Sequence, residues 1–177
     1  MVLDFYPQGK ALSQNRAEDY NPLAVVITSQ SFQFFDVIVS PGMKFAVSER
    51  LMLTTKNKKI LRFERIQFNQ LSESALDILP EIILGVVFRS EPRFMSFLNK
   101  AHPLTTQMHQ LQLLPGIGQK RMWTILEARK NAHFSSFTDF IQRTGISDPA
   151  SILFERIFSE LEGTPKYRLF TKNLNKI

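Results

Sequence analysis

Leu111-Gln112-Leu113-Leu114-Pro115-Gly116-Ile117-Gly118-Gln119-Lys120 punctuates the C-terminal half of this 177-residue chain. Ahead of it, Leu104, Met108 and Leu111 recur at a spacing that predicts a helix. Behind it, Gln119 to Lys130 reads as a second, amphipathic helix that begins at once. Pro115 stops the first helix, and the glycines at 116 and 118 permit a tight turn and close approach by another molecule. The second helix is then expected to open with free N–H groups and the positive end of its dipole. No side chain at 116 or 118 stands in front of them, so the arrangement suits a phosphate.

The pattern L-x-x-L-P-G-I-G, followed by the basic pair Lys120-Arg121 and an amphipathic helix, resembles the helix–hairpin–helix motif of nucleic-acid-binding proteins. The resemblance implies that the amides of Gly116, Ile117 and Gly118 hold a backbone phosphate without reading bases. Lys120 and Arg121 would add charge, and Leu114, Pro115 and Gln119 would complete the hairpin, with His109 as a further contact. On the second helix Met122, Ile125 and Leu126 form the buried stripe, while Arg129 and Lys130 flank it and are secondary contacts. Such motifs usually carry a small residue where this chain has Met122. Trp123, beside the apolar stripe, is expected to pack at the core edge and not to stand exposed as a stacking platform.

A second half follows. Phe137, Phe140 and Ile141 predict a third helix ending at Thr144-Gly145, and Ile152, Leu153, Ile157 and Phe158 a fourth over Ala150–Leu161. Between them Gly145-Ile146 repeats the hairpin signature, but Ser147 replaces the second glycine, and Asp148 and Pro149 fit N-cap and first-turn positions. Pro149 removes a donor and Asp148 would repel a phosphate, so this hairpin reads as structural, with Gly145 only a secondary contact. Beyond Gly163, Lys166, Tyr167, Arg168, Leu169, Phe170 and Lys172 interleave cations with aromatics, which suits single-stranded nucleic acid. The reading of a tail docked on the domain is slightly favoured, with Lys166 and Arg168 kept as secondary contacts.

Composition agrees with a polyanion partner. Lys plus Arg outnumber Asp plus Glu by 22 to 16, a net +6. Residues 1–100 carry 12 basic and 10 acidic groups, residues 101–177 carry 10 and 6, so most of the excess lies in the shorter part. The absence of cysteine excludes disulfides, thiolate zinc sites, iron–sulfur clusters and a cysteine nucleophile. His102, His109 and His133 have no metal-binding spacing with nearby carboxylates, so no metal and no cofactor are expected. The longest apolar run, Ile82 to Phe88, is too short to span a bilayer, and Met1-Val2-Leu3-Asp4 is not a basic start followed by a long apolar region, so no leader is expected. A cytoplasmic protein without a membrane partner is the expectation.

The N-terminal half has a different character. Residues 1–20 lack a period and read as an arm. Leu23–Thr28, Ser31–Ser40, Met43–Val47, Leu51–Thr54 and Ile60–Phe68 read as five short strands, with a type II turn at Pro41-Gly42 and a polar hairpin at Lys56-Asn57-Lys58-Lys59. Leu61 to Gln67 alternates as a half-buried strand with Arg62 and Glu64 outward. Five strands in so short a span suggest a small closed or partly open barrel of the OB or S1 type. Ser72 caps a helix Glu73–Leu79 that ends at Pro80; Glu81–Arg89 and Arg93–Ala101 follow, with Ser90 and Pro92 at the start of the latter. The expected fold is α+β: an arm and OB/S1-like barrel over 1–70, a helical connector over 71–100, an all-α tandem helix–hairpin–helix domain over 101–163, and a basic tail over 164–177.

Over nearly its full length the chain resembles the domain of unknown function 655 family, whose members are described as RNA-binding proteins. The carriers are Val2-Leu3-Asp4-Phe5 with Gln8-Gly9-Lys10, Arg93 to Ala101, Leu104-Thr105-Thr106, His109-Gln110-Leu111, Leu113 to Gly118, Met122-Trp123, Phe134-x-x-Phe137-x-Asp139, Asp148-Pro149 and Lys166 to Phe170. The resemblance implies an OB- or S1-type barrel joined to a tandem helix–hairpin–helix unit and supplies no established activity. The family pattern has Arg where this chain has Gln107 and Lys where it has Gln119.

Three functions compete. The first is a non-enzymatic nucleic-acid-binding protein, RNA narrowly preferred over DNA, with ribosome- or translation-associated proteins as further partners; its contacts would position more than specify. The second is a DNA-binding or DNA-repair protein. Glycosylases of the L-P-G-x-G-x-K type use the lysine as nucleophile with a later aspartate, positions matched by Lys120 and Asp139, yet no flipped-base pocket is recognisable. The third is a protein-docking module.

Overall fold

The computed structural model describes residues 1–9, 21–54 and 59–172. Most of the arm (10–20), the expected hairpin at 56–58 and the chain end including Lys176 lie outside the described residues. The protein is mixed α+β and divides into two compact units: residues 1–82 with 171–177, and residues 83–170. This division parts the chain after residue 82, where the sequence predicts a boundary near Gln70 and a connector over 71–100.

The first unit is built on a four-stranded antiparallel sheet of order β1-β2-β3-β4. Its strands are β1 (Val2–Tyr6), β2 (Leu23–Ile27), β3 (Phe34–Val39) and β4 (Ile60–Ile66). Hydrophobic β-branched residues explain the centre. All five residues of β2 are buried, and Val26 faces Val2 on one side and Phe35 on the other. Val2, Ala24, Val26, Val37 and Val39 form one core cluster. Two corrections concern strand count. Val2–Tyr6, expected within an arm, is a strand; Met43–Val47 and Leu51–Thr54, expected as strands, are not. Met43, Phe45, Leu51 and Leu53 nevertheless pack on the core cluster, so their apolar pattern reports burial without a ladder. With β1 and β4 as its ends, the sheet is open among the described residues where a five-stranded barrel was expected. β4 is paired only with β3 and leaves Leu61 and Phe63 exposed, so its expected half-buried pattern does not hold. The Pro41-Gly42 turn does form: Gly42 takes φ +84° and Met43 N–H donates to Ser40.

Asp4 anchors β1 within this unit. Its carboxylate accepts from Phe5 N, Tyr6 Oη, Ser72 Oγ and Ser74 Oγ at 2.7–2.8 Å. Burial pushes its pKa up, but the hydrogen bonds from Ser74, Ser72, Tyr6 and Phe5 outweigh that and hold it below the ordinary value. Ser72 in turn caps α1 through Ala75 N–H. Helix α1 runs unbroken over Glu73–Arg89 with Pro80 inside. Pro80 was expected to end it. Ala75, Leu79, Ile82, Ile83, Val86 and Val87 are all buried along one stripe, and that burial outweighs a cost of about 3 kcal/mol for an interior proline.

The second unit is helical: α2 (Glu91–Lys100), α3 (Gln119–Asn131), α4 (Phe137–Thr144) and α5 (Pro149–Glu162), with a short 3₁₀ turn at Gln110–Leu113. Its core includes Phe94, Leu98, Leu111, Ile125, Phe140, Leu153 and Ile157, each 2% exposed or less. Glu91 accepts Phe137 N–H at the start of α4, and Asn99 exchanges two hydrogen bonds with the backbone of Phe134. No helix among the described residues is long and apolar enough to cross a membrane.

Candidate functional site

The helix expected before the Pro-Gly turn is mostly absent. Pro103 bridges to His109, and the N–H groups of Leu104 and Thr105 both donate to Met108. Residues 103–109 thus fold back as a loop, which Pro103 and the β-branched pair Thr105-Thr106 favour over a helix. Only Gln110–Leu113 is helical, as a single 3₁₀ turn. His109 starts it: buried at 7% exposure, its Nδ1 accepts Leu111 N–H at 3.1 Å. Desolvation first, then the charges of Arg129 and His102, lowers its pKa and favours the neutral imidazole that this bond requires. His109 was expected to meet a phosphate; the structure makes it a cap.

The turn that follows is exposed and lightly furnished. Gly116 takes φ +71°, a conformation that disfavours any side chain. Ile117 beside it is buried at 4% and its N–H donates to Leu114 at 3.1 Å. That amide is therefore engaged and is not one of the free donors expected here. Gly118 is the N-cap of α3, and nothing lies within 4 Å of where its Cβ would be. No side chain caps α3. Among the described residues the amides of Gly116, Gly118, Gln119, Lys120 and Arg121 have no acceptor. They stand at an exposed, positive helix end.

The nearby cations sort into two kinds. Lys120 is exposed with no side-chain partner among the described residues. Arg121 is exposed but donates through Nη1 to the Gly116 carbonyl at 2.9 Å, bracing the turn with its guanidinium beside it. Lys130 is exposed and paired with Glu127 at 2.6 Å. Arg129, expected to face outward or flank the stripe as a secondary contact, donates to Leu98 O and Ala101 O at 2.9 and 2.8 Å and satisfies the C-terminus of α2. Arg143 does the same for α3 through Ala128 and Ala132. The surplus of charge counted along the chain is thus partly consumed inside the unit.

Trp123 also departs from expectation. It is 53% exposed and stands on a ridge of α3 between two grooves. One, of about 720 Å³, includes Lys120, Glu127 and Lys130; the other, of about 670 Å³, runs along Thr105, Gln107, Gln112, Gln119 and Met122. Met122 and Ile125 are the buried residues of α3, which leaves Trp123 on the solvent side of the stripe.

The second turn has the opposite character. Gly145 ends α4 at φ +70°, Asp148 accepts Ser151 N–H at 3.0 Å as N-cap of α5, and Pro149 is its first residue. The expected structural role for this turn fits that geometry. Asp139, the second residue of the glycosylase reading, accepts Ser135 N–H at 2.9 Å and pairs with Arg143 at 3.2 Å. The described part of the tail is docked: Phe170 is buried, edge-on to Phe94 and Phe97, and Lys166 lies over the Tyr167 ring.

The residues that the sequence did not single out are Arg156 and Glu160. They form a buried pair at 2.9 Å. Arg156 also donates to Leu113 O, immediately before the first turn, and to Tyr167 O, while Glu160 accepts the N–H groups of Leu169 and Phe170. This pair holds the 3₁₀ turn and the tail on α5. Its i, i+4 spacing is indistinguishable in sequence from an ordinary surface pair.

Residues 1–172 match the family described as protein of unknown function (DUF655). An uncharacterized protein of Methanocaldococcus jannaschii is 34% identical over 175 residues, covering 97% of this chain and 78% of that protein. A crystal structure of a DUF655 protein from Archaeoglobus fulgidus is similar with a TM-score of 0.79 at 34% identity, covering 97% of each chain. The chain belongs to the DUF655 family.

Proposed function

With membership of the DUF655 family as premise, we propose that this chain is a non-enzymatic nucleic-acid-binding protein that grips a backbone phosphate at the start of α3, in the manner of a helix–hairpin–helix module. The observation that carries the reading is the uncapped, exposed N-terminus at Gly118, where five amides lack acceptors among the described residues and the exposed Lys120 stands in the first turn. Phosphate contacts of this kind position a strand and read little of its sequence. RNA is preferred over DNA because of the resemblance to proteins described as RNA-binding. The OB/S1-like reading of the first unit belongs to the same proposal. Its support is that Val2 exchanges backbone hydrogen bonds with Ser48 and Glu49 at 2.8 and 2.9 Å, laying further chain along the free side of β1. The engagement of Asp139 with Ser135 and Arg143 favours this reading over a glycosylase.

Gel shifts with structured RNA, single-stranded DNA and duplex DNA at two salt concentrations test it. RNA is expected to bind at low salt and to weaken as salt rises, in proportion to the phosphates neutralised. Gly118→Asp is the decisive variant, because it places a capping carboxylate over the same amides without a steric clash. It is expected to fold at least as well as the parent and to lose binding. A Gly118→Asp protein that binds like the parent would sink the phosphate site.

A further inference from the structure

The groove along Thr105, Gln107, Gln112 and Gln119, with Trp123 as its wall, has a composition that the phosphate site does not account for. None of its lining residues is acidic. Its polar groups are hydroxyls and carboxamides, which present donors and acceptors together, with the His109 imidazole and the Arg129 guanidinium beside them, and Met122 and Leu126 supply apolar surface. Gln112 uses its Oε1 on His109 N–H at 2.8 Å, which fixes that side chain and turns its amide nitrogen elsewhere. Gln119 belongs both to the groove and to the first turn of α3, one residue after the N-cap Gly118. Trp123 follows four residues later on the same face, about 6 Å along the axis. An indole left 53% exposed at that place is unusual for so large an apolar side chain.

Resting on the nucleic-acid reading above, we infer that this groove is a nucleobase subsite: an unpaired base of the strand whose phosphate sits at Gly118 stacks on Trp123, with its edge toward the carboxamides. The occupant is single-stranded nucleic acid. A base within a duplex presents no free face to the indole, whereas every unpaired base offers one. The acid-free lining, with Arg129 in it, and the exposed Lys120 next to Gln119 in sequence both suit such a strand. The neighbouring groove that holds Glu127 does not share this lining.

Trp123 is the single tryptophan of the chain, so its fluorescence reports the subsite directly. Full-length protein is titrated with a short oligouridylate and with a strand of equal length made of abasic spacers. The oligouridylate is expected to quench Trp123 and the abasic strand to bind without quenching. Trp123→Ala should lose about tenfold in affinity for the oligouridylate and nothing for the abasic strand, which also certifies its fold; Trp123→Phe should keep most of the affinity. Binding that is sensitive to Gly118→Asp but shows neither quenching nor a loss in Trp123→Ala overturns the base subsite and leaves the phosphate site standing. No binding of either strand at low salt overturns both, and points to a protein occupant for the groove.

Discussion

The two turns of the helical unit begin alike and end differently. Each is turned by a left-handed glycine, Gly116 at φ +71° and Gly145 at φ +70°, and each pins the next residue, Ile117 or Ile146, into the core at 4% exposure. Then they diverge. Gly118 opens α3 with nothing over its amides, whereas Asp148 and Pro149 open α5 with one donor bonded and one removed. A helix N-terminus is intrinsically an anion site; whether it stays one is decided by the residue at the cap. The same local grammar thus yields an open end and a closed one within about thirty residues of each other.

The largest expected effect tests what supports both turns. Arg156→Leu leaves the buried Glu160 carboxylate without its counter-charge and releases Leu113 O and Tyr167 O from α5. It should cost about 3–5 kcal/mol in chemical denaturation. A single change that costs no more than an exposed ion pair would show that the pair does not brace the first turn.

Next come the glycines. Gly116→Ala and Gly145→Ala should each destabilise by about 1–2 kcal/mol, the cost of a side chain in the left-handed region. Gly116→Ala should cost the more, because its Cβ would meet Arg121 Nη1 at 3.2 Å while that of residue 145 meets nothing within 4 Å. Equal costs would mean that Arg121 yields freely and does not brace the turn.

These differences show which parts of the molecule can be read from sequence. Signals settled within a few residues were legible: Pro41-Gly42, the start of α3 at Gln119, Gly145 as a helix end, and Asp148-Pro149 as the start of α5. Signals settled by distant packing were not. Pro80 is retained inside α1 because a buried stripe crosses it. Arg129, Arg143 and Arg156 look like surface charge until the carbonyls they satisfy come near in the fold. The exposure of Trp123 is of the same kind, since only the neighbouring elements decide which side of α3 is covered. The open end at Gly118 was visible in advance, but the loss of the Ile117 amide and the conversion of His109 into a cap were not.

A smaller effect comes from exchanging the caps. Gly118→Asp should raise stability by a few tenths of a kcal/mol while removing binding, whereas Asp148→Gly loses the bond to Ser151 but relieves a residue held at φ +49° and should change stability little. Asp148→Gly should create no new anion site, because Pro149 still lacks its N–H. Thermal denaturation and a gel shift on both variants check this; an Asp148→Gly protein with raised RNA affinity would show that Pro149 is not what closes the second end.

The smallest effect is a difference in acid response between the two turns. The His109 pKa is lowered in the folded protein by desolvation, then by Arg129 and His102, so its cap on Leu111 stabilises the neutral state. That contribution is whole above the ordinary histidine value of about 6.5 and is lost as pH falls from there through the lowered folded value. The Asp148 pKa is lowered by its hydrogen bonds to Ser151, so its contribution is whole above about 3.8 and persists until pH falls through a value below that. Protection of Leu111 N–H from hydrogen exchange should therefore decline with acid while that of Ser151 N–H is still intact. The order follows from chemistry alone: an imidazole that accepts a hydrogen bond loses the lone pair on protonation, and it protonates well before a carboxylate held by two donors. If both amides lose protection together, the two turns unfold as one unit, and the separate caps inferred from their geometry do not act separately.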